Sequence, residues 1–198
     1  MDRSTFDFDE AREAGLAENY RLDGETEPFR YYTALAATSA FTSANDLTAF
    51  AKAQIPALID ESETVLRQAT LRQMRSPHAS QLGADIWGLG VMLYAPNNTG
   101  DFIIGHDGNN EPAINSAVRV DPVTGSGIII LTTGNDLLAT RLAGEWVYWT
   151  SGNVDFLTFA SELETTIGNA IAGSVIIFIA GLLFAFRVWR LLRLLSTR

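Results

Sequence analysis

Two histidines, His78 and His106, one lysine, Lys52, and no cysteine make a short inventory of reactive side chains. Without cysteine there is no disulfide, no thiolate zinc site and no thiol nucleophile. His78 lies in the polar stretch Ser-Pro-His-Ala-Ser and reads as a solvated side chain. His106 follows an apolar run, Phe102 to Gly105, and in this chain alone reads as a strand-end histidine without a task. A histidine there can act as an electrostatic donor to a carboxylate or an oxyanion. Asp101, His106 and Asp107 are close in sequence, but alternation along a strand sends neighbours to opposite faces, which argues against a metal site. A Ser–His–Asp triad of Ser116, His106 and an aspartate lacks a nucleophile-elbow sequence.

The elements that would position these residues fall into two halves. Residues 1–40 are polar, then mixed, with a turn-rich loop at Gly24–Pro28. Ser43-Ala-Asn-Asp46 is a capping box, so Ser43 should accept from the Asp46 backbone N–H and open a helix. Leu47, Phe50, Ala51, Ile55 and Leu58 follow at helical spacing, with Pro56 ending or kinking the helix. A second amphipathic helix is predicted from about Ser62 to Met74. Beyond residue 84 the period becomes that of strands. Ile86–Tyr94 reads as one strand with internal glycines, Asn97–Gly100 as a turn and Phe102–Gly105 as a short strand. Ile114–Val120 alternates as a half-buried strand, Asp121–Gly125 is a hairpin loop and Gly127–Thr132 reads as a fully buried strand. Asp136 is expected to cap a helix reaching about Trp149, with Trp146, Tyr148 and Trp149 packed on the sheet.

Three stretches in this order resemble the family of serine β-lactamases, penicillin-binding proteins and related esterases. Thr42-Ser-Ala-Asn-Asp-Leu-Thr-Ala-Phe50 is similar to that family's S-x-x-D-L-x-x-F helix start. Trp87-Gly-Leu-Gly90 leading to Gly105-His-Asp-Gly108 resembles the strand pair ending in its third motif, Lys-Thr-Gly or His-x-Gly. Asn115–Pro122 with Gly127–Asn135 resembles the next two strands and their hairpin. The resemblance covers residues 1–150. It implies that His106 stands at the Lys or His of the third motif, and that Gly108 keeps the strand open for a substrate backbone. Asp107 replaces the usual small or hydroxyl residue.

Departures from the family pattern are equally specific. Its chemistry requires a serine activated by a lysine one helical turn later, S-x-x-K. The residue three before Lys52 is Ala49. The second motif, Tyr-x-Asn or Ser-x-Asn, is expected to be absent as well: Tyr20, Tyr31 and Tyr32 are succeeded two positions on by Leu22, Thr33 and Ala34. Both motifs belong N-terminal to what is present, so the chain is expected to correspond to the C-terminal portion of such a domain.

Charge is unevenly distributed. The net charge is −9, yet Arg187, Arg190, Arg193 and Arg198 close the chain and no acid follows Glu164. Residues 1–166 therefore carry a balance of −13, which opposes nucleic-acid binding. From Ile167 to Phe186 there is no charge at all. Twenty helical residues cover about 30 Å, the thickness of a hydrocarbon core. A transmembrane helix is expected over 167–190, with Trp189 at interfacial depth, a juxtamembrane linker over 151–166 and a basic tail over 191–198. Positive residues favour the cytoplasmic side, so the C-terminus should be inside and the globular part outside if exported. The start, Met1–Glu10, has neither the basic nor the apolar region of a signal peptide.

These readings give an α+β fold: a partial β-lactamase/transpeptidase-like domain of three or four antiparallel strands with flanking helices, plus one C-terminal transmembrane helix. The expected function is a membrane-anchored hydrolase relative that is inactive alone. The alternatives are a non-catalytic binding module, or a fragment complemented by a second chain. No cofactor or metal ion is expected. The expected partners are the lipid bilayer and a complementary N-terminal chain or a helix–helix partner, the latter suggested by Gly168 with Ala172 and Ala170 with Ser174.

Overall fold

A computed structural model describes residues 1–58 and 65–196. Among these residues, five short or medium α-helices and the strands of one sheet make up most of a first unit, Met1–Thr158. The helices are α1 (Phe8–Glu13), α2 (Leu35–Thr38), α3 (Ala44–Lys52), α4 (Gln68–Met74) and α5 (Leu138–Ser151), with a 3-10 turn at Pro56–Leu58. The strands are β1 (Ala79–Gln81), β2 (Ala84–Trp87), β3 (Met92–Pro96), β4 (Phe102–Asn110), β5 (Ile114–Val120) and β6 (Gly127–Thr133). They pair in simple sequential order, each antiparallel to the next. The α+β architecture with an antiparallel sheet is thus as expected, although the sheet has six strands rather than three or four.

Local chemistry explains several boundaries. The Ser43 hydroxyl accepts from the Asp46 backbone N–H at 3.2 Å and opens α3 as the capping box requires. Helix α4 spans Gln68–Met74; the expected start near Ser62 lies outside the described residues. Asp121 organises the β5–β6 hairpin, accepting from Val123 N at 3.0 Å and from the buried Asn97 amide at 3.0 Å.

Four expectations need correction. Ile86–Tyr94 is not one strand: Gly88 to Val91 interrupt it, and the backbone of Gly88 bonds back to Val91 O at 2.9 Å. β6 is half-buried rather than fully buried, because it is the edge strand and α3 covers only part of its face. Asp136 does not cap α5. The cap residue is Leu137, in the left-handed region at φ 53°, and the Asn115 side chain on β5 accepts from Thr140 N at 3.0 Å, supplying the cap from the sheet. Finally, of the three aromatic residues on α5 only Trp146 packs on the sheet; Tyr148 is 57% and Trp149 82% exposed.

The sheet buries both faces. On one, α3 lays Ala51 and the following Ile55 against Leu93, Ile104 and Val120, bordered by Phe102, Val118 and Ile129. On the other, Ala139 and Ala143 of α5 meet Ala117, Ile128 and Ile130, while Val147 meets Ala95 and Ile103. Small residues on α5 let the helix approach the sheet closely.

The second unit, from Phe159 on, is helical. It belongs to α6 (Phe156–Ser196), a single helix of 41 residues that begins well ahead of the uncharged run, so most of the segment expected as a linker is helix. Its stretch Phe156–Arg190 is long and apolar enough to cross a membrane, by length and composition. Among the described residues it is the one helix that meets that test.

Candidate functional site

Strand β4 carries the candidate motif. Its register with β5 sets Gly105 against Arg119, His106 against Val118, Asp107 against Ala117 and Gly108 against Ser116. The two strands approach so closely at Gly105 that a Cβ there would lie 1.8 Å from the Val118 carbonyl oxygen, a position only glycine tolerates. His106 follows immediately and alternates onto the face of Ile104, Val118 and Ile129. Its side chain is exposed, and the ring sits 5.9 Å from that of Trp87, tilted by 51°. Its Nδ1 lies 2.7 Å from the Asp107 carbonyl oxygen. A carbonyl only accepts, so Nδ1 bears the hydrogen and Nε2 is the remaining hydrogen-bonding atom of the neutral ring.

Gly108 lies on the same face, one position further along. A Cβ there would come within 2.6 Å of the Ser116 hydroxyl, so the glycine keeps this row low. Its carbonyl oxygen accepts from the Asn115 side chain at 3.0 Å, which also donates to the Thr140 hydroxyl at 3.1 Å. The structure thus places His106 and Gly108 together on an accessible part of the sheet.

Asp107 points the other way. Its carboxylate accepts from two nitrogens of the Arg119 guanidinium, from the Tyr94 hydroxyl at 3.0 Å and from the Thr140 hydroxyl at 2.7 Å. The replacement read from the sequence therefore does not face the same side as His106. Arg119 is 0% exposed; its Nε donates to Asp155 at 2.9 Å, and its guanidinium lies 3.3 Å from the Tyr94 ring centroid. Burial opposes the Arg119 charge, but hydrogen bonding to Asp107 and the nearby Tyr94 and Asp155 outweigh it, and its pKa is raised. Burial is the main cause that pushes the Tyr94 phenol up, so it stays protonated as a donor. Tyr94 reaches this cluster where the β3–β4 register shifts between Leu93 and Ala95, as at a bulge.

Sequence reading missed this buried network. In β5 the fully buried positions are Asn115, Ala117 and Arg119, not the register of Ile114, Ser116 and Val118. An arginine flanked by Val118 and Val120 within a strand was the available signal, since such a charge must find partners.

The other candidates separate. Asp101 pairs with Arg75 Nε at 3.1 Å, and His78 Nε2 lies 3.2 Å from Gln73 O. Ser116 and His106 occupy neighbouring rows, but the Asp107 carboxylate that would orient the imidazole is committed to Arg119 on the far side. The expected absence of Ser-x-Asn needs correction: Ser43-Ala-Asn45 has that bare spacing, although the Ser43 hydroxyl is occupied in capping α3. Lys52 is exposed in the last turn of α3, one turn after Ala49.

A family model described as Beta-lactamase matches residues 1–148, about three quarters of the chain. The chain belongs to the beta-lactamase family. Neither a curated protein nor a solved structure matches it. In this beta-lactamase family member the match ends inside α5, so it takes in the whole six-stranded sheet, His106, Gly108 and Arg119.

Proposed function

We propose that the chain is a membrane-anchored relative of the serine hydrolases of this family that presents the third-motif face, His106 and Gly108, but has no acyl-transfer activity alone. The observation that carries this reading is Lys52, the sole lysine, which has an alanine three residues before it. No serine in these 198 residues has an amine base one helical turn on, so the attacking hydroxyl has nothing to take its proton. On this reading His106 would polarise a substrate carboxylate or oxyanion, and Gly108 would leave room for the substrate backbone, once a serine–lysine pair is supplied from outside these residues.

An edge and a stripe favour such a complementing chain as partner. Among the described residues β6 has no strand on its outer side, and it carries Leu131, 42% exposed. Leu138, Leu142 and Trp149 on α5 are also exposed, and helical spacing puts them on one stripe. A bilayer around Ile167–Phe186, with the arginine-rich end in the cytoplasm, is the anchoring this proposal requires.

The test is labelling of the purified full chain with a fluorophosphonate and with a fluorescent penicillin. Neither should give an adduct with the chain alone. A serine adduct, or turnover of an ester or lactam by the unpartnered chain, would end this reading.

A further inference from the structure

We propose that Arg119 and Asp155 are positioning residues for His106: through the Asp107 carboxylate they hold the peptide whose carbonyl oxygen keeps the imidazole proton on Nδ1. The inference rests on the reading of His106 as a working residue of the site.

Asp107 is held from both ends. Its carbonyl oxygen receives His106 Nδ1 at 2.7 Å on the open face of the sheet. Its carboxylate, on the other face, receives the guanidinium of Arg119 and the hydroxyls of Tyr94 and Thr140. A residue fixed by so many buried charge-assisted bonds has little freedom to tilt its peptide. Arg119 is fixed in turn by Asp155, which is 1% exposed. The second oxygen of Asp155 accepts from Leu157 N at 2.9 Å and from Thr158 N at 3.1 Å, so the same carboxylate caps the first turn of α6. A continuous chain of hydrogen bonds therefore runs from that turn, through Asp155, Arg119 and Asp107, to the His106 ring.

The consequence for chemistry is a chosen tautomer. With the hydrogen on Nδ1, the neutral ring offers Nε2 as an acceptor, and as a donor once protonated. His78 supplies an internal reference of the opposite kind. Its Nε2 lies 3.2 Å from the Gln73 carbonyl oxygen, which requires the hydrogen on Nε2.

The experiment is a long-range proton–nitrogen correlation of the nitrogen-15-labelled full chain in detergent micelles, at a pH where both imidazoles are neutral. The parent should show His106 mainly protonated on Nδ1 and His78 mainly on Nε2. In Asp155→Asn and in Thr140→Val, the Nδ1 to Nε2 ratio at His106 should fall roughly two- to tenfold, the range of one lost hydrogen bond. The His78 ratio should not move. A parent without the Nδ1 preference, or a His106 ratio unchanged in both variants, overturns the proposal. Should Asp155→Asn fail to fold, seen as loss of sheet and helix by circular dichroism, Thr140→Val decides alone, since it deletes one hydroxyl that donates to Asp107 and accepts from Asn115. A purely structural network would lower the melting temperature of both variants and leave the tautomer ratio intact. Fluorophosphonate labelling plays no part in this readout, so its failure leaves the proposed function to its own test.

Discussion

Removing the Arg119 guanidinium would strand two carboxylates, Asp107 and Asp155, inside the sheet–helix core. Breaking a buried charge cluster from one side costs far more than the cluster contributes as a whole, because the remaining charges keep their desolvation penalty. Arg119→Leu should therefore destabilise the first unit by about 3–5 kcal/mol, read as a shift in denaturant midpoint by circular dichroism. A shift near zero would mean that water already solvates the two acids. At this scale the sequence was half legible. Alternation alone separated His106 from Asp107, and the structure agrees. What alternation did not show was which face was the deeper one. That depends on α5 bringing Thr140 down onto β5 and on Asp155 arriving from beyond the helix, both non-local events.

The N-terminus of α3 behaves as its sequence requires, because capping is a contact across three residues. The same turn holds a longer-range contact: Asp46 accepts from the Ser4 hydroxyl at 2.7 Å and from Arg3 N at 2.8 Å. The Ser4 hydrogen bond foremost, with the Arg3 backbone N–H, holds the Asp46 carboxyl below its ordinary 3.8. A carboxyl with a depressed folded-state pKa stabilises the fold above its unfolded value and loses that contribution as pH falls through the folded one. Asp46→Asn should therefore flatten part of the loss of stability below about pH 4, measured by melting temperature against pH. An acid limb identical to that of the parent would contradict the contact. Other element boundaries were hidden for a physical reason. Asp136 looked like a cap, but Leu137 adopts φ 53° and Asn115 supplies the acceptor from another strand. β1 was hidden in a polar loop, since its pairing with β2 has no hydrophobic signature.

At the scale of the whole chain, the apolar surface left uncovered is the most telling feature. Within the described residues of the first unit, the outer edge of β6 is unpaired, and Leu138, Leu142, Tyr148 and Trp149 of α5 are exposed. Residues 1–150 expressed alone should be marginally stable, with a broad thermal transition or concentration-dependent association by light scattering. A sharp cooperative transition in a monomer would show that the visible core suffices. The sequence carried the antiparallel sheet and the long apolar helix because both are written in local periodicity. It did not carry the exposure of Tyr148 and Trp149, which depends on what the outer side of α5 faces.

Every pairing in the sheet joins strands adjacent along the chain, from β1 with β2 to β5 with β6. Low sequence separation between partners keeps the entropy of loop closure small and favours rapid assembly. A nascent polypeptide can therefore zip its hairpins one after another as they leave the ribosome, and only α5 must wait to seal the second face.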